Sequence, residues 1–251
     1  GVSCEMAPIV RTARESTVPI VEDNAHGLFG RYHGVPLGSF GALATLSFHE
    51  TKNVSCGEGG ALVVNDQRLV DRAEILREKG TDRSRFLRGE IDKYSWIDVG
   101  SSYVPSDLLA AFLLGQLEGR REIQQHRRRV FEGYATALGP WARAHGVGVP
   151  PDIPNVEHPW HMFYLRLADT TARSALAAHL RARGVLAVSH YVPLHLAPMG
   201  LTYGYKPGDL PVTERVSGQI LRLPFFPSLS EADQQLVCDA ILQFAPHSLA
   251  S

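Results

Sequence analysis

The 251-residue sequence is poor in several things at once. There is no surplus of positive charge: 25 Lys and Arg balance 26 Asp and Glu, for a formal net charge of −1. That balance excludes the electrostatic footprint of a nucleic-acid binder or of a protein held to an anionic membrane. Long apolar runs are missing, so no stretch is predicted to cross a bilayer. Cysteine is scarce as well. Cys4, Cys56 and Cys238 are scattered and odd in number, with neither metal-ligand spacing nor the density of a disulfide framework. No metal site is expected, and a reducing, cytoplasmic setting fits best. The first residues lack the basic start and apolar stretch of a secretory signal. They also lack an initiator Met, which points to a processed or partial chain. Internal repeats and low-complexity segments are absent.

What is present is ordinary globular composition, 44% hydrophobic and 20% charged, in alternating helical and strand-like segments. Residues 4–16 have amphipathic helical spacing, with Pro8 in the first turn, where its missing N–H costs little. Val18–Val21 is a short apolar run of the buried-strand kind, ending at Glu22 and Asp23. Residues 27–41 hold five glycines and read as turns or a small hairpin. Ala42–Phe48 and Gly60–Asn65 read as further strands. Residues 66–79 form a helix that Gly80 can stop, and 81–104 are irregular. Ser106 is placed to cap a long helix from Asp107 to about Leu138, apolar and buried in its first half. Its second half carries Arg120, Arg121, Arg127, Arg128 and Arg129, read as a solvated face. Gly139-Pro140 would end it. Beyond lie a strand at His161–Leu167, a helix at 170–184, a strand at Val185–Ser189 and helices at Thr213–Leu223 and Ser230–Phe244. The class is α/β. The long helix suggests a boundary between a domain of residues 1–125 and one of 126–251.

Chemistry-bearing residues are thinly spread. Asp23 closes a strand of an open α/β sheet, where ligands commonly bind, although such an acid is equally a cap or a surface charge. Lys52 lies in a loop after a strand, and a lone loop lysine is usually only solvated. Gly57-Glu58-Gly59-Gly60 allows close approach of the backbone to a ligand, or simply makes a turn.

Taken together and in order, these segments are more specific. Val21-Glu22-Asp23-Asn24-Ala25-His26, then Ser47-Phe-His-Glu-Thr-Lys52-Asn53, then Gly57 to Gly60 resembles fold-type I pyridoxal 5′-phosphate (PLP) enzymes, and within them the sugar-nucleotide aminotransferases. Arg77-Glu-Lys-Gly-Thr81, Arg88-Gly89, Asp92-Lys93-Tyr94, Gly100-Ser-Ser-Tyr103, His161-Met-Phe-Tyr164 and His190-Tyr-Val-Pro-Leu-His195 look like one branch, the dTDP-4-amino-4,6-dideoxygalactose transaminases.

The resemblance implies a PLP transferase-like large domain followed by a smaller C-terminal α/β domain. It implies a homodimer that takes glutamate as amino donor and dTDP-4-keto-6-deoxyglucose as acceptor. Lys52 would link to the cofactor and move the proton, because an amine with a lowered pKa is the better nucleophile. Asp23 would hold the proton on the pyridine nitrogen, keeping the ring an electron sink. His26 would contact the ring, Ser47 the phosphate, and His190, Tyr191 and His195 the sugar nucleotide. The resemblance also implies a preceding N-terminal third that this sequence does not contain. Where the wider family carries Gly-Tyr-Asn-Tyr-Arg before the long helix, this chain has Gly100-Ser-Ser-Tyr-Val104. Two alternatives stay open: an inactive remnant that only dimerises, and a sugar dehydratase of the same fold. Lys52 argues against the second, since those dehydratases carry His at that position.

Overall fold

The computed structural model describes residues 2–245. They divide into two compact units, one of residues 2–121 with 153–159, the other of 122–152 with 160 onward.

In the first unit, helix α1 (Met6–Ser16) buries Met6 and ends at Thr17, whose φ of 57° is left-handed. The N–H groups of Thr17 and Val18 close back on the carbonyls of Arg14 and Ala13, satisfying the last turn. Strand β1 (Val21–Asp23) then leads into a glycine-rich stretch. That stretch contains a hairpin of β2 (Arg31–Tyr32) and β3 (Val35–Pro36). Its two turn residues, His33 and Gly34, have φ of 50° and 76°, the pair of positive values that a tight two-residue hairpin requires. Strands β4 (Leu43–Ser47) and β5 (Gly60–Val64) complete a sheet in the order β1-β4-β5, parallel then antiparallel.

A 3₁₀ turn, Gln67–Leu69, is capped by Asp66 and runs into α2 (Val70–Arg77). Within the stretch expected to be irregular, a short α3 (Arg83–Leu87) forms. Ser106 caps α4 (Asp107–Glu118) by accepting the Leu109 N–H at 3.4 Å. The segment at 153–159 returns to this unit and adds β6 (Val156–Glu157) to β2, where Arg31 and Glu157 pair in register and as an ion pair at 3.7 Å.

The second unit is built on α5 (Arg120–Ala144). Strands β7 (Tyr164–Arg166) and β8 (Ile220–Arg222) pair antiparallel. Helices α6 (Thr170–Arg181), α7 (Pro198–Thr202), α8 (Pro211–Gln219) and α9 (Glu231–Leu242) complete the unit. Tyr134, Leu138, Phe163, Leu165, Leu176, Leu180, Leu221 and Ile241 form a continuous, fully buried core. At about 25 cal/mol per Å² such a core is the main stabilising contribution.

Several expectations are corrected. The single long helix is two, because Gly119 caps α4 before Arg120 starts α5. Gly139-Pro140 does not end α5, which runs on to Ala144. Proline inside a helix costs about 3 kcal/mol, but Leu138, Trp141 and Ala142 on either side are buried and hold the helix in place. Arg127 is not on a solvated face: it is buried, with Nε and Nη2 donating to the carbonyls of Trp160 and His161 at 2.9 and 2.7 Å. The segment Thr213–Leu223 is helical only to Gln219, since Leu221 enters β8 opposite Leu165. Val185–Ser189 forms no strand, only a bridge between Val188 and Arg222. Val18, Val21 and the Leu108–Phe112 face of α4 are exposed rather than buried.

Candidate active site

The parallel pairing of β1 and β4 sets the first relationship. Asp23 is in register with Thr45, and the Asn24 N–H continues the ladder to the Thr45 carbonyl at 3.1 Å. Strand side chains alternate faces, so Asp23, Thr45 and Ser47 share one face of the sheet. Ser47 lies two residues beyond Thr45, about 7 Å further along the strand. One Asp23 carboxylate oxygen accepts the Ala25 N–H at 3.2 Å. This turn ends β1 and fixes the carboxylate at the strand's carboxyl end. Ser47 Oγ accepts the His49 N–H at 3.4 Å.

The opposite face is used to brace the strand. Glu22 accepts the N–H groups of Gly38, Phe40 and Gly41 at 2.7–2.8 Å. Asn65 Nδ2 donates to the carbonyls of Gly38 and Gly41, each at 2.9 Å. The 38–41 loop is therefore gripped through both its donors and its acceptors, and β1 is held beside β4. Gly41 is required there, because a Cβ would lie 2.6 Å from the Ile20 carbonyl oxygen.

Lys52 rides on the loop joining β4 to β5. Phe48 and Gly59, and then Glu50 and Gly57, continue the pairing outward with N–H···O bonds of 2.8 and 2.9 Å. The Lys52 N–H closes a turn on the His49 carbonyl at 2.9 Å. Just after it, Asn53 and Val54 turn inward. Val54 is fully buried in a cluster with Phe48 and Cys56, backed by Leu109, Leu113 and Leu117 of α4. Asn53 Nδ2 donates to the Pro159 carbonyl at 2.5 Å. The loop is thus anchored on both sides of a half-buried Lys52.

His26 is exposed in the turn that follows β1. Beneath that turn the buried Asn24 donates to the Leu37 carbonyl at 3.0 Å. Its Oδ1 occupies the space that a Cβ at Gly27 would need.

The Gly100–Tyr103 stretch lies along the end of α2. Ser101 exchanges bonds of 3.0 Å with Leu76 and Lys79, and the Tyr103 N–H reaches the Arg77 carbonyl at 3.1 Å. Gly80 and Gly100 meet backbone to backbone, leaving no room for a Cβ on either. The Tyr103 ring is exposed.

His190, Tyr191 and His195 belong to the second unit. Tyr191 is 74% exposed, its ring stacked on His190 at 4.3 Å. His190 Nδ1 lies 3.0 Å from Nη1 of Arg222. Burial, reinforced by the Arg222 charge, holds the His190 imidazole below its ordinary pKa. His195 is buried, and its Nε2 meets Glu214 Oε1 at 3.0 Å. Glu214 also accepts the N–H groups of Gly208 and Leu210. The bond from His195, then those amides, hold the Glu214 carboxyl below its ordinary range. His195 therefore pins the 194–196 turn to the start of α8, and its Nε2 is already engaged.

Glu22 and Asn53 lay inside the motif stretches without an assigned role, and Arg222 lay outside any motif; each matters through a partner distant in the chain. The first-unit donor set is coherent chemically. A carboxylate and a hydroxyl share one face at the carboxyl ends of β1 and β4, and the loop that follows β4 carries an amine, the residue types that a group with a basic ring nitrogen, a phosphate arm and an aldehyde needs. The strand offset of Asp23 and Ser47 is of the order of a substituted pyridine's length.

Comparison with known proteins identifies the family and the fold. Residues 1–242 match the model of the DegT/DnrJ/EryC1/StrS aminotransferase family. The chain is 32% identical over 247 residues to a dTDP-3-amino-3,4,6-trideoxy-alpha-D-glucose transaminase of Streptomyces venezuelae, covering 98% of this chain and 61% of that one. It is 29% identical to the spore coat polysaccharide biosynthesis protein SpsC of Bacillus subtilis, covering 96% and 63%. Among solved structures, S. venezuelae DesV in complex with a ketimine intermediate superposes with a TM-score of 0.84 at 31% identity, over 96% of this chain and 62% of that one. The chain spans between 61% and 64% of the length of the curated relatives it matches.

Proposed function

The chain belongs to the DegT/DnrJ/EryC1/StrS aminotransferase family, and from that premise we propose that it serves the transfer of an amino group from glutamate to a nucleotide-linked keto sugar, dTDP-4-keto-6-deoxyglucose. The fold is that of fold-type I PLP enzymes, and the family's cofactor is pyridoxal 5′-phosphate. The observation that carries the reading is the register of β1 with β4, which sets Asp23 and Ser47 on one face at the carboxyl ends of neighbouring strands.

When bound, PLP supplies the electron sink for moving the amino group. Lys52 carries the amine that holds the cofactor and later shuttles the proton. Asp23 keeps a proton on the ring nitrogen through its free carboxylate oxygen. Ser47 Oγ donates its hydroxyl proton to the phosphate while accepting the His49 N–H. His26 lines the ring from the turn after β1. Tyr191 and His190 face the sugar nucleotide, and His195 acts through them by fixing the turn at 194–196. Two copies of the chain assemble, a reading supported by the exposed Leu108, Phe112 and Leu114 on α4 and Trp96 before it.

The assay is 2-oxoglutarate formation from glutamate and dTDP-4-keto-6-deoxyglucose in the presence of PLP. Sugar-dependent turnover is expected of the protein when it carries the N-terminal third that the resemblance implies, and negligible turnover from residues 1–251 alone. Formation with other nucleotide keto sugars but not this one would overturn the substrate, and none with any would overturn the activity.

A further inference from the structure

Among its described residues, the second unit withdraws two arginines from water, Arg127 fully and Arg222 in part, without a carboxylate ion pair to either. Arg222 closes β8, registered with Tyr164 on one side and bridged to Val188 on the other. Its guanidinium is partly buried, and desolvation holds its pKa below the ordinary value. A guanidinium has five N–H donors, and the side-chain acceptor it meets is His190 Nδ1. For Nδ1 to accept, the ring must be neutral with its proton on Nε2. That fits an imidazole whose protonation is disfavoured by burial and by Arg222 itself. Arg127 is buried too, its donors engaged with two carbonyls and its guanidinium 5.1 Å from the Phe225 ring centre. Burial lowers its pKa to about 10, and the Arg222 charge adds to the effect. Neither arginine forms an ion pair with a carboxylate among the described residues, whereas exposed Arg128 pairs with Glu132 at 2.7 Å.

Removing a cation from water without a counter-charge is unfavourable. The arrangement around Arg222 holds the cation in one orientation nonetheless. His190 orients the fork from one side, and Tyr191 stacks on His190 with its ring largely in solvent. A fork so held matches a carboxylate or phosphate, which can take two parallel N–H bonds.

We propose that Arg222, oriented by His190 and flanked by Tyr191, is an oxyanion subsite that receives a charged group of a substrate. This rests on the aminotransferase reading, in which two substrates bring such a group: the carboxylates of glutamate and the diphosphate of the nucleotide sugar. Arg222 then selects for the substrate that carries the anion, and His190 is a positioning residue for it.

The test is calorimetric titration of the PLP-loaded protein with L-glutamate and, separately, with thymidine 5′-diphosphate. Losing charge-assisted bonds weakens binding roughly 10- to 100-fold. Arg222→Met is expected to lose that much for one ligand and to change little for the other, and the ligand affected names the source of the anion. Arg222→Lys keeps the charge but loses the fork, so it should recover part of the affinity. Should the Met variant fail to fold, the Lys variant alone decides, with several-fold weaker binding of one ligand expected. Unchanged affinity for both ligands, or no binding of either by the PLP-loaded wild type, overturns the subsite. Failure of the underlying reading looks different: the wild type would then show no PLP absorbance at all.

Discussion

Asn53, the residue after Lys52, donates its side-chain amide to the carbonyl of Pro159, 106 positions away. Together with buried Val54, this bond turns a surface loop into a fixed platform for the lysine amine. A catalytic amine must be held to within a fraction of an ångström of its productive position, and packing beneath the loop supplies that constraint.

Asn53→Ala should therefore destabilise the protein by about 0.5–1.5 kcal/mol, the net contribution of one intramolecular hydrogen bond. Thermal denaturation should show a fall of about 2–4 °C for each kcal/mol lost. The same variant should bind PLP more weakly than wild type, measured by cofactor titration. An unaltered melting temperature would mean that the Asn53–Pro159 bond does not fix the loop.

Asp23→Asn keeps the shape of the side chain and its turn with Ala25 but cannot hold a proton on a pyridine nitrogen by charge. PLP should still bind, while turnover falls by several orders of magnitude. Stopped-flow measurement of the first half-reaction with glutamate separates the two effects. A half-reaction rate close to that of wild type would remove Asp23 from its assigned role.

Acid should act on the second unit through Glu214. Its carboxyl is held below the ordinary 4.5 by His195 and backbone amides, so the folded state binds its proton less readily than the unfolded state. The stabilisation is present above the unfolded value and is lost as pH falls through the lower, folded one. Glu214→Gln should reduce stability near neutral pH and flatten its decline below about pH 4.5. Urea unfolding across pH 3–7 provides the comparison. Parallel curves for variant and wild type would show that Glu214 adds no pH dependence.

The alternation of strands and helices and the Ser106 cap were legible in the sequence because each follows from local chemistry; the helix expected to run to Lys79 instead ends at Arg77, with Glu78 as its C-cap. Asp23, Ser47 and Lys52 stood out in the sequence as an ordered set, and the parallel register of β1 with β4 puts Asp23 and Ser47 on one face. What could not be read was long-range. Leu221 joins a strand because Leu165 lies opposite it, and α5 passes Pro140 because its neighbours are buried. The Arg127–Arg129 run looked uniformly solvated, yet Arg127 turns into the core to meet two carbonyls. His195 read as a ligand-facing histidine, and the structure gives its Nε2 to Glu214.

The central claim is that Lys52 holds the cofactor. The direct measurement is borohydride reduction of the PLP-treated protein, followed by mass spectrometry of its peptides. The account predicts a pyridoxyl-phosphate adduct on Lys52, visible absorbance that reduction bleaches, and loss of both in Lys52→Ala. An adduct on another lysine, or the same absorbance and labelling in Lys52→Ala, would contradict it.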